Sequence, residues 1–542
     1  MNSMDQELIV QIKNNPHLLK YLVEGNHNIN KMVFKRSLSV TSHIEKNYNI
    51  LYPLTNQVFA HVYRDSQSND IYNVVEPILT PKLREKLEKI KESIYHQADY
   101  DRKIEFKEEL RQMVLEIFEK VVTTKSETGI LSKFITDEKI RVKKKEIPTL
   151  RYYILRDMVD FGVINSMLFD DNIEDIHIVG TSPITLIHSI FGEMKSNIRF
   201  ETPDEIDNYL KKISQRIDSP IGESHPIVDS ALPDGSRVNI VYPDDVSRRG
   251  RSFTIRKFPE VPISITELIA NKTVTSELAA YLWLCLENSM SIFICGSSSV
   301  GKTTTMNALL PFVFLENKIY SVEDTPEVKP PQMNWQQLIV REEGSEDEQV
   351  GMFDLLKAAL RSRPDYIVPS EIRGEEGRVA FQAMQTGHPV ISTFHASSVV
   401  KMIQRLTGDP ILIPITFVDN LNVAVIQENV TSEGRLARRV TEVGEIEGYS
   451  EAMGGVINRI VFKRNPIKDE LKFEGLYNSF ILEDKIANIQ GYIDKRKIYE
   501  DMKERVELLD DFVNKKIFEY DKVTQLIDEW RKGGRGALSV RL

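Results

Sequence analysis

One octapeptide constrains this chain more than any other feature. Gly296-Ser297-Ser298-Ser299-Val300-Gly301-Lys302-Thr303 is a complete GxxxxGK[ST]. An apolar run at 291–295 precedes it and reads as a strand; residues 303–312 follow it and read as a helix. Glycines in such a strand–loop–helix let backbone N–H groups turn inward around phosphates with no Cβ in the way. Lys302 can reach the β- and γ-phosphates, the Thr303 hydroxyl can ligate Mg²⁺, and the helix N-terminus adds its partial positive charge beside Thr303 and Thr304. Residues 296–304 are therefore expected to bind ATP and Mg²⁺.

A loop of this kind needs a sheet to hold it. Strands are expected at 291–295, 319–323, 366–368, 390–394 and 422–427. Between or around them come helices at 276–288, 303–312, 353–361 and 375–386. Apolar strands alternating with amphipathic helices imply an α/β fold with a parallel core sheet covered on both faces. Upstream, IHIV, ITLIHS, RVNIV and SFTIR are short strands separated by Gly, Pro and Asp, which suits an α+β domain on an antiparallel sheet. KFPEVPIS, with two prolines, reads as a linker. The expected organisation is a mixed and helical docking region at 1–150, an α+β domain at 151–256, a linker at 257–265, the P-loop domain at 266–480 and a helical region at 481–542.

Composition bounds the rest. With 70 basic and 80 acidic residues, the net charge of −10 argues against a chain whose main work is coating nucleic acid. Two cysteines, Cys285 and Cys295, exclude a disulfide framework and a Cys₄ zinc site and fit a reducing cytosol. No signal peptide is expected, because Asp5 and Glu7 stand where positive charge would be needed. The best mimic of a membrane span, 278–296, is interrupted by Glu287. The basic run Lys139, Arg141, Lys143, Lys144, Lys145 reads as a solvated connection, with contact to an anionic surface as the alternative.

Three further motifs bear on the chemistry. Val322-Glu323-Asp324-Thr325-Pro326-Glu327 follows an apolar strand, so its carboxylates point into the ligand crevice, where one could orient or deprotonate water. In Arg361-Ser-Arg363-Pro-Asp365-Tyr-Ile-Val-Pro369-Ser370-Glu371-Ile-Arg373 a strand ends in an acid, the place for a carboxylate that handles Mg²⁺; Glu371 is the choice, with Arg361, Arg363 and Arg373 as nearby cations. His395 ends the strand after Thr386-Gly387-His388-Pro389, where a neutral imidazole could hydrogen-bond the γ-phosphate or Glu371.

In this order the four motifs resemble those of the secretion ATPases of type II and type IV systems and type IV pili, which are RecA-like hexameric motors. ALPDGSRVNIV, SFTIRKF, MIQRLTGDP and VDNLNVAVIQ are similar to the archaeal members, and EIEGYSEAMGGVINRIVF is most similar to the archaellum ATPase. The resemblance implies a RecA-like P-loop ATPase domain preceded by an α+β, PAS-like N-domain. It makes Lys302 and Thr303 the P-loop pair, Glu323 and Glu327 the acidic-box residues, Glu371 the Walker-B acid and His395 the His-box residue. Arg237 and Arg256 become N-domain arginines that reach nucleotide or a neighbouring subunit. It also implies a hexamer that acts at the cytoplasmic face of the membrane on a polytopic platform protein, with accessory motor proteins and no nucleic acid. Pro369-Ser370 depart from the apolar residue and glycine usual before the Walker-B glutamate. An adhesive pilus ATPase, a nucleotide-dependent switch with little turnover and a DNA translocator are the rival readings.

Overall fold

The computed structural model describes residues 6–25, 32–38, 48–98, 106–124, 139–217, 219–223, 226–242, 247–258, 261–341, 348–432, 435–452 and 454–538. The chain divides into two compact units, Met1–Phe258 and Pro259–Leu542. Pro259 and Glu260, in the expected linker, lie outside the described residues.

The first unit is built on one ten-stranded sheet. Its order begins with Val33–Phe34, Asn49–Pro53, Phe59–Arg64 and Asp70–Val75, and continues through Gly192–Ser196, Thr185–His188 and Ile173–Val179 to Ser252–Arg256, Arg237–Val241 and Ile227–Ala231. Pairing is antiparallel except at two places, one of them the junction of Asp70–Val75 with Gly192–Ser196. The sheet thus runs across position 150, where the sequence suggested a boundary. Alternation explains its packing: Ile176, Ile178, Val238, Ile240, Phe253 and Ile255 are buried at every second position. Helix Pro203–Arg216, capped by Thr202, lays Ile206, Leu210 and Ile213 on this core. Helix Pro81–Gln97 starts at a Thr80 cap and buries Leu83, Leu87, Ile90 and Ile94 in a second cluster with helix Lys107–Val121. The basic run flanks that cluster: Val142 is buried, while Lys139, Arg141, Lys143, Lys144 and Lys145 are exposed.

The second unit is α/β. Strands Glu371–Ile372, Ile391–Phe394, Ile292–Cys295 and Val423–Ser432 run parallel in that order. A parallel trio, Trp335–Ile339, Ile319–Glu323 and Tyr366–Pro369, joins them through a parallel bridge between Ile367 and Val390. Beyond Val423–Ser432 the sheet changes character. Arg435–Ser450, Gly455–Asn465 and Glu470–Phe473 add as an antiparallel meander that the sequence reading did not foresee, as it did not foresee Trp335–Ile339.

The start of the span-like run lies in helix Ser276–Glu287, as expected, buried from Leu278 to Leu286 by the sheet and by the C-terminal helices Ile498–Asn514 and Tyr520–Leu538. The charge at its C-terminal end is held inside the protein: Glu287 accepts hydrogen bonds from Arg505, Arg531 and Trp283 at 2.6 Å each. Among the described residues no helix is long and apolar enough to cross a membrane.

Candidate nucleotide site

The P-loop strand Ile292–Cys295 is buried at every position, as a central parallel strand must be. The loop it feeds needs its glycines. Gly301 adopts φ +91° at the mouth of helix Lys302–Leu309, and a Cβ on Gly296 would stand 2.3 Å from the Gln427 carbonyl oxygen. Ser299 also takes a positive φ, +61°. Ser297, Ser298 and Ser299 are exposed, Val300 is buried, and Thr303 and Thr304 are half-buried at the helix start.

Lys302 is buried and turned back into the loop, donating to the carbonyls of Gly296 at 3.2 Å and Ser297 at 3.0 Å. Burial pulls its ammonium below the usual lysine range, against the opposing pull of Glu371 and Glu327. The backbone of Glu327 is tied to Glu323 and to Asn307 of the P-loop helix.

Glu371 sits where the sheet switches partners. Tyr366–Pro369 pairs with Ile319–Glu323, whereas Glu371–Ile372 pairs with Ile391–Phe394. Pro369, which has no N–H to give, falls at the end of the first ladder. Ser370 bridges the break: its N–H donates to Val322, and its carbonyl accepts from the Thr393 hydroxyl. The unusual Pro-Ser pair therefore suits the crossover and leaves the acid at the strand end.

Around Glu371 the structure gathers three cations or potential cations. His395 Nε2 lies 2.7 Å from Oε1 and Lys302 Nζ lies 4.0 Å from it. Arg373 grips Oε2 through Nε at 2.8 Å and through a second guanidinium nitrogen, and also faces Asp324 at 3.8 Å. Arg373 is thus the arginine of the expected three that touches the acid. Oε1 is buried and faces His395 without a well-aligned hydrogen bond. Burial holds His395 below the ordinary histidine range, against the pull of Glu371, so it is neutral near pH 7. Arg405 steadies it by donating to its carbonyl.

Glu323 is placed differently from the expectation that it handles water. It is fully buried, and its oxygens accept from the N–H groups of Glu327 at 2.6 Å and Val328 at 2.8 Å and from Gln337 at 3.1 Å. Burial raises its pKa despite these bonds. The carboxylate shapes the acidic turn instead of facing the crevice. Arg237 and Arg256 lie in the first unit, on paired positions of adjacent strands, bound to Asp229 and Asp175.

Sequence reasoning missed two braces. Asn307, in the P-loop helix, donates to the Glu327 carbonyl and accepts from Lys329 N–H, tying the acidic turn to the helix. Gln427 does the same for the P-loop. An interior amide has no motif; only the fold reveals its partners.

The residues fit ATP and Mg²⁺. A buried carboxylate oxygen that makes no well-aligned hydrogen bond lies 4.0 Å from the P-loop lysine, and a threonine hydroxyl stands at the helix mouth, so Glu371 and Thr303 would hold the metal. A profile of the Type II/IV secretion system protein family matches residues 157–412. An uncharacterised protein of Methanocaldococcus jannaschii is 45% identical over 530 residues, covering 96% of each chain. The type IV secretion system protein VirB11 of Bartonella henselae is 29% identical over 246 residues, covering 38% of this chain and 69% of its own. Among solved structures, the pilus retraction motor PilT with bound ADP is 18% identical, covering 65% of this chain and 89% of its own, with a TM-score of 0.37. This chain, with its complete P-loop, belongs to the type II/IV secretion system protein family, on its archaeal side.

Proposed function

We propose that the protein is a hexameric motor that spends ATP to assemble, and to rotate, an archaeal type IV pilus-like filament, the archaellum. It would act from the cytoplasmic face on a polytopic membrane platform protein, with accessory motor proteins and without nucleic acid. A head-to-tail interface that closes makes a ring. The observation that carries the reading is the Glu371 site: an acid whose buried oxygen faces both His395, at 2.7 Å, and the P-loop lysine, at 4.0 Å. A module that only holds nucleotide has no need of that acid.

The chain's own groups supply the steps. Lys302 exchanges two neutral carbonyls for phosphate oxygens, which are stronger, charge-assisted acceptors. Glu371 takes up the attacking water, and neutral His395, 2.7 Å from Oε1, holds the acid in place. Mg²⁺, when bound, neutralises developing phosphate charge and orients the phosphates. Arg237 and Arg256 would leave Asp229 and Asp175 to serve the nucleotide of a neighbouring subunit.

Mixing wild-type and Lys302→Ala subunits tests the ring: phosphate release should fall faster than the wild-type fraction. Strict proportionality would show that each subunit works alone. Deleting the gene and scoring swimming against surface adhesion separates the archaellum from an adhesive pilus: loss of swimming alone is expected, and loss of adhesion alone would overturn the assignment.

A further inference from the structure

Strand Val423–Ser432 runs in parallel register with the P-loop strand, from Ile292 opposite Val423 to Cys295 opposite Ile426. There the P-loop strand stops and the loop begins, so Gln427 is the first residue that the neighbouring strand presents to the loop itself. At this step the ladder on its other side, to Arg435–Ser450, shifts register between Ile426 and Gln427. Such irregularities re-aim a side chain beside active sites.

Gln427 is 1% exposed, and both ends of its amide are engaged. Nε2 donates to the Val300 carbonyl at 2.7 Å, and Oε1 accepts from the Thr305 hydroxyl at 2.8 Å. The hydroxyl can donate and the carbonyl can only accept, so the two bonds fix which way the amide faces. The backbone of Gln427 packs against Gly296, and Nε2 would stand 3.2 Å from a Cβ on Gly301. One residue therefore touches the first glycine, the last glycine and the first turn of the helix.

The Val300–Gly301 peptide is the link that matters. In a trans peptide the C=O and the following N–H point in opposite directions. Holding the Val300 oxygen against Gln427 sends the Gly301 N–H to the other side of that plane. We propose that Gln427 is a positioning residue for ATP hydrolysis: it locks the Val300–Gly301 peptide so that the Gly301 N–H faces the phosphates. The proposal rests on the ATP site and adds to it a residue from outside the four motifs. In an unlocked loop this peptide would flip freely, and each nucleotide would have to order it on binding.

The test compares nucleotides that differ in phosphate count. Gln427→Glu keeps the size and the acceptor for Thr305 but faces Val300 with an oxygen; Gln427→Leu removes both bonds. Thr305→Val removes the helix bond alone. Competition binding is measured with ATP, ADP and adenosine, and turnover with phosphate release. Both Gln427 variants are expected to weaken ATP and ADP at least tenfold and adenosine less than twofold. KM should rise more than kcat falls, with Thr305→Val within threefold of wild type. Equal weakening of all three ligands, or ATP binding by a folded Gln427→Glu at the wild-type level, overturns the proposal. If Gln427→Leu fails to melt cooperatively, the isosteric glutamate decides alone. Wild-type protein that binds no ATP would instead sink the ATP site itself.

Discussion

Each unit of this protein holds a histidine–carboxylate cluster, and the two are finished differently. In the first unit Asp170 accepts from the hydroxyls of Tyr52 and Tyr72, at 2.5 and 2.8 Å, with one oxygen, and from the N–H and side chain of Asn172 with the other. His188 beside it accepts from Ile190 N–H through Nδ1, so its proton sits on Nε2, facing the Tyr52 hydroxyl. Every acceptor is spent on joining strands and turns. In the second unit Glu371 has a histidine, a lysine and an arginine around it, yet one buried oxygen makes no well-aligned hydrogen bond. Buried polar groups are normally satisfied, so an unfinished cluster next to a phosphate loop marks chemistry and a finished one marks architecture.

The comparison breaks most sharply at the P-loop end. Lys302→Ala and Glu371→Gln should each cost about a hundredfold or more in phosphate release, an effect of about 3 kcal/mol on the barrier, with the melting temperature unchanged. Glu371→Gln should still bind ATP. Turnover within twofold of wild type would place this cluster with Asp170 as architecture.

Asp170→Ala should do the reverse. It strands two buried tyrosine hydroxyls, so ~3 kcal/mol or more of stability should go, read as a lower urea midpoint for the first unit. Nucleotide affinity should stay within twofold. An unshifted midpoint would mean that the hydroxyls find other partners.

Acid separates the two histidines next. Burial lowers His188 from the ordinary 6.5 to about 4. The unfolded chain then binds the extra proton first, so stability is complete above pH 6.5 and is lost as pH falls toward 4, by up to about 3 kcal/mol. Urea unfolding at pH 7 and pH 5 should show this, and His188→Gln should flatten it. His395, lowered by burial but half-exposed, should move the acid limb of turnover and add less than His188 to that of stability. A stability limb that persists in His188→Gln assigns the proton to another group.

The smallest expected stability effect is at Arg256, paired with Asp175 while 47% exposed. Arg256→Ala should cost less than about 1 kcal/mol, because exposed pairs are screened. A strong loss of turnover without loss of stability is the expected signature of a residue serving a neighbour's site. Wild-type turnover would return Arg256 to a simple strand-to-strand pair.

The sequence alone determined the P-loop, the alternation of strands and helices around it, and the strand ends that carry Glu371 and His395. Those features depend on local rules: a glycine pattern, apolar runs of strand length, and the position of a polar residue just past a parallel strand. The helix at 276–287 was legible too, although its near-complete burial was not, because a segment cannot announce what will surround it. Tertiary structure alone decided how carboxylates of the same type divide their work. Glu323 ends a strand as Glu371 nearly does, but its turn folds back and takes one oxygen while Gln337 of the adjacent strand takes the other, whereas the partner switch at Pro369 and Ser370 leaves Glu371 open toward Lys302. It also brought Gln427 to the P-loop from 127 residues away from Val300. Hydrogen-bond saturation is a property of neighbours distant in the chain, and no spacing along the sequence records it.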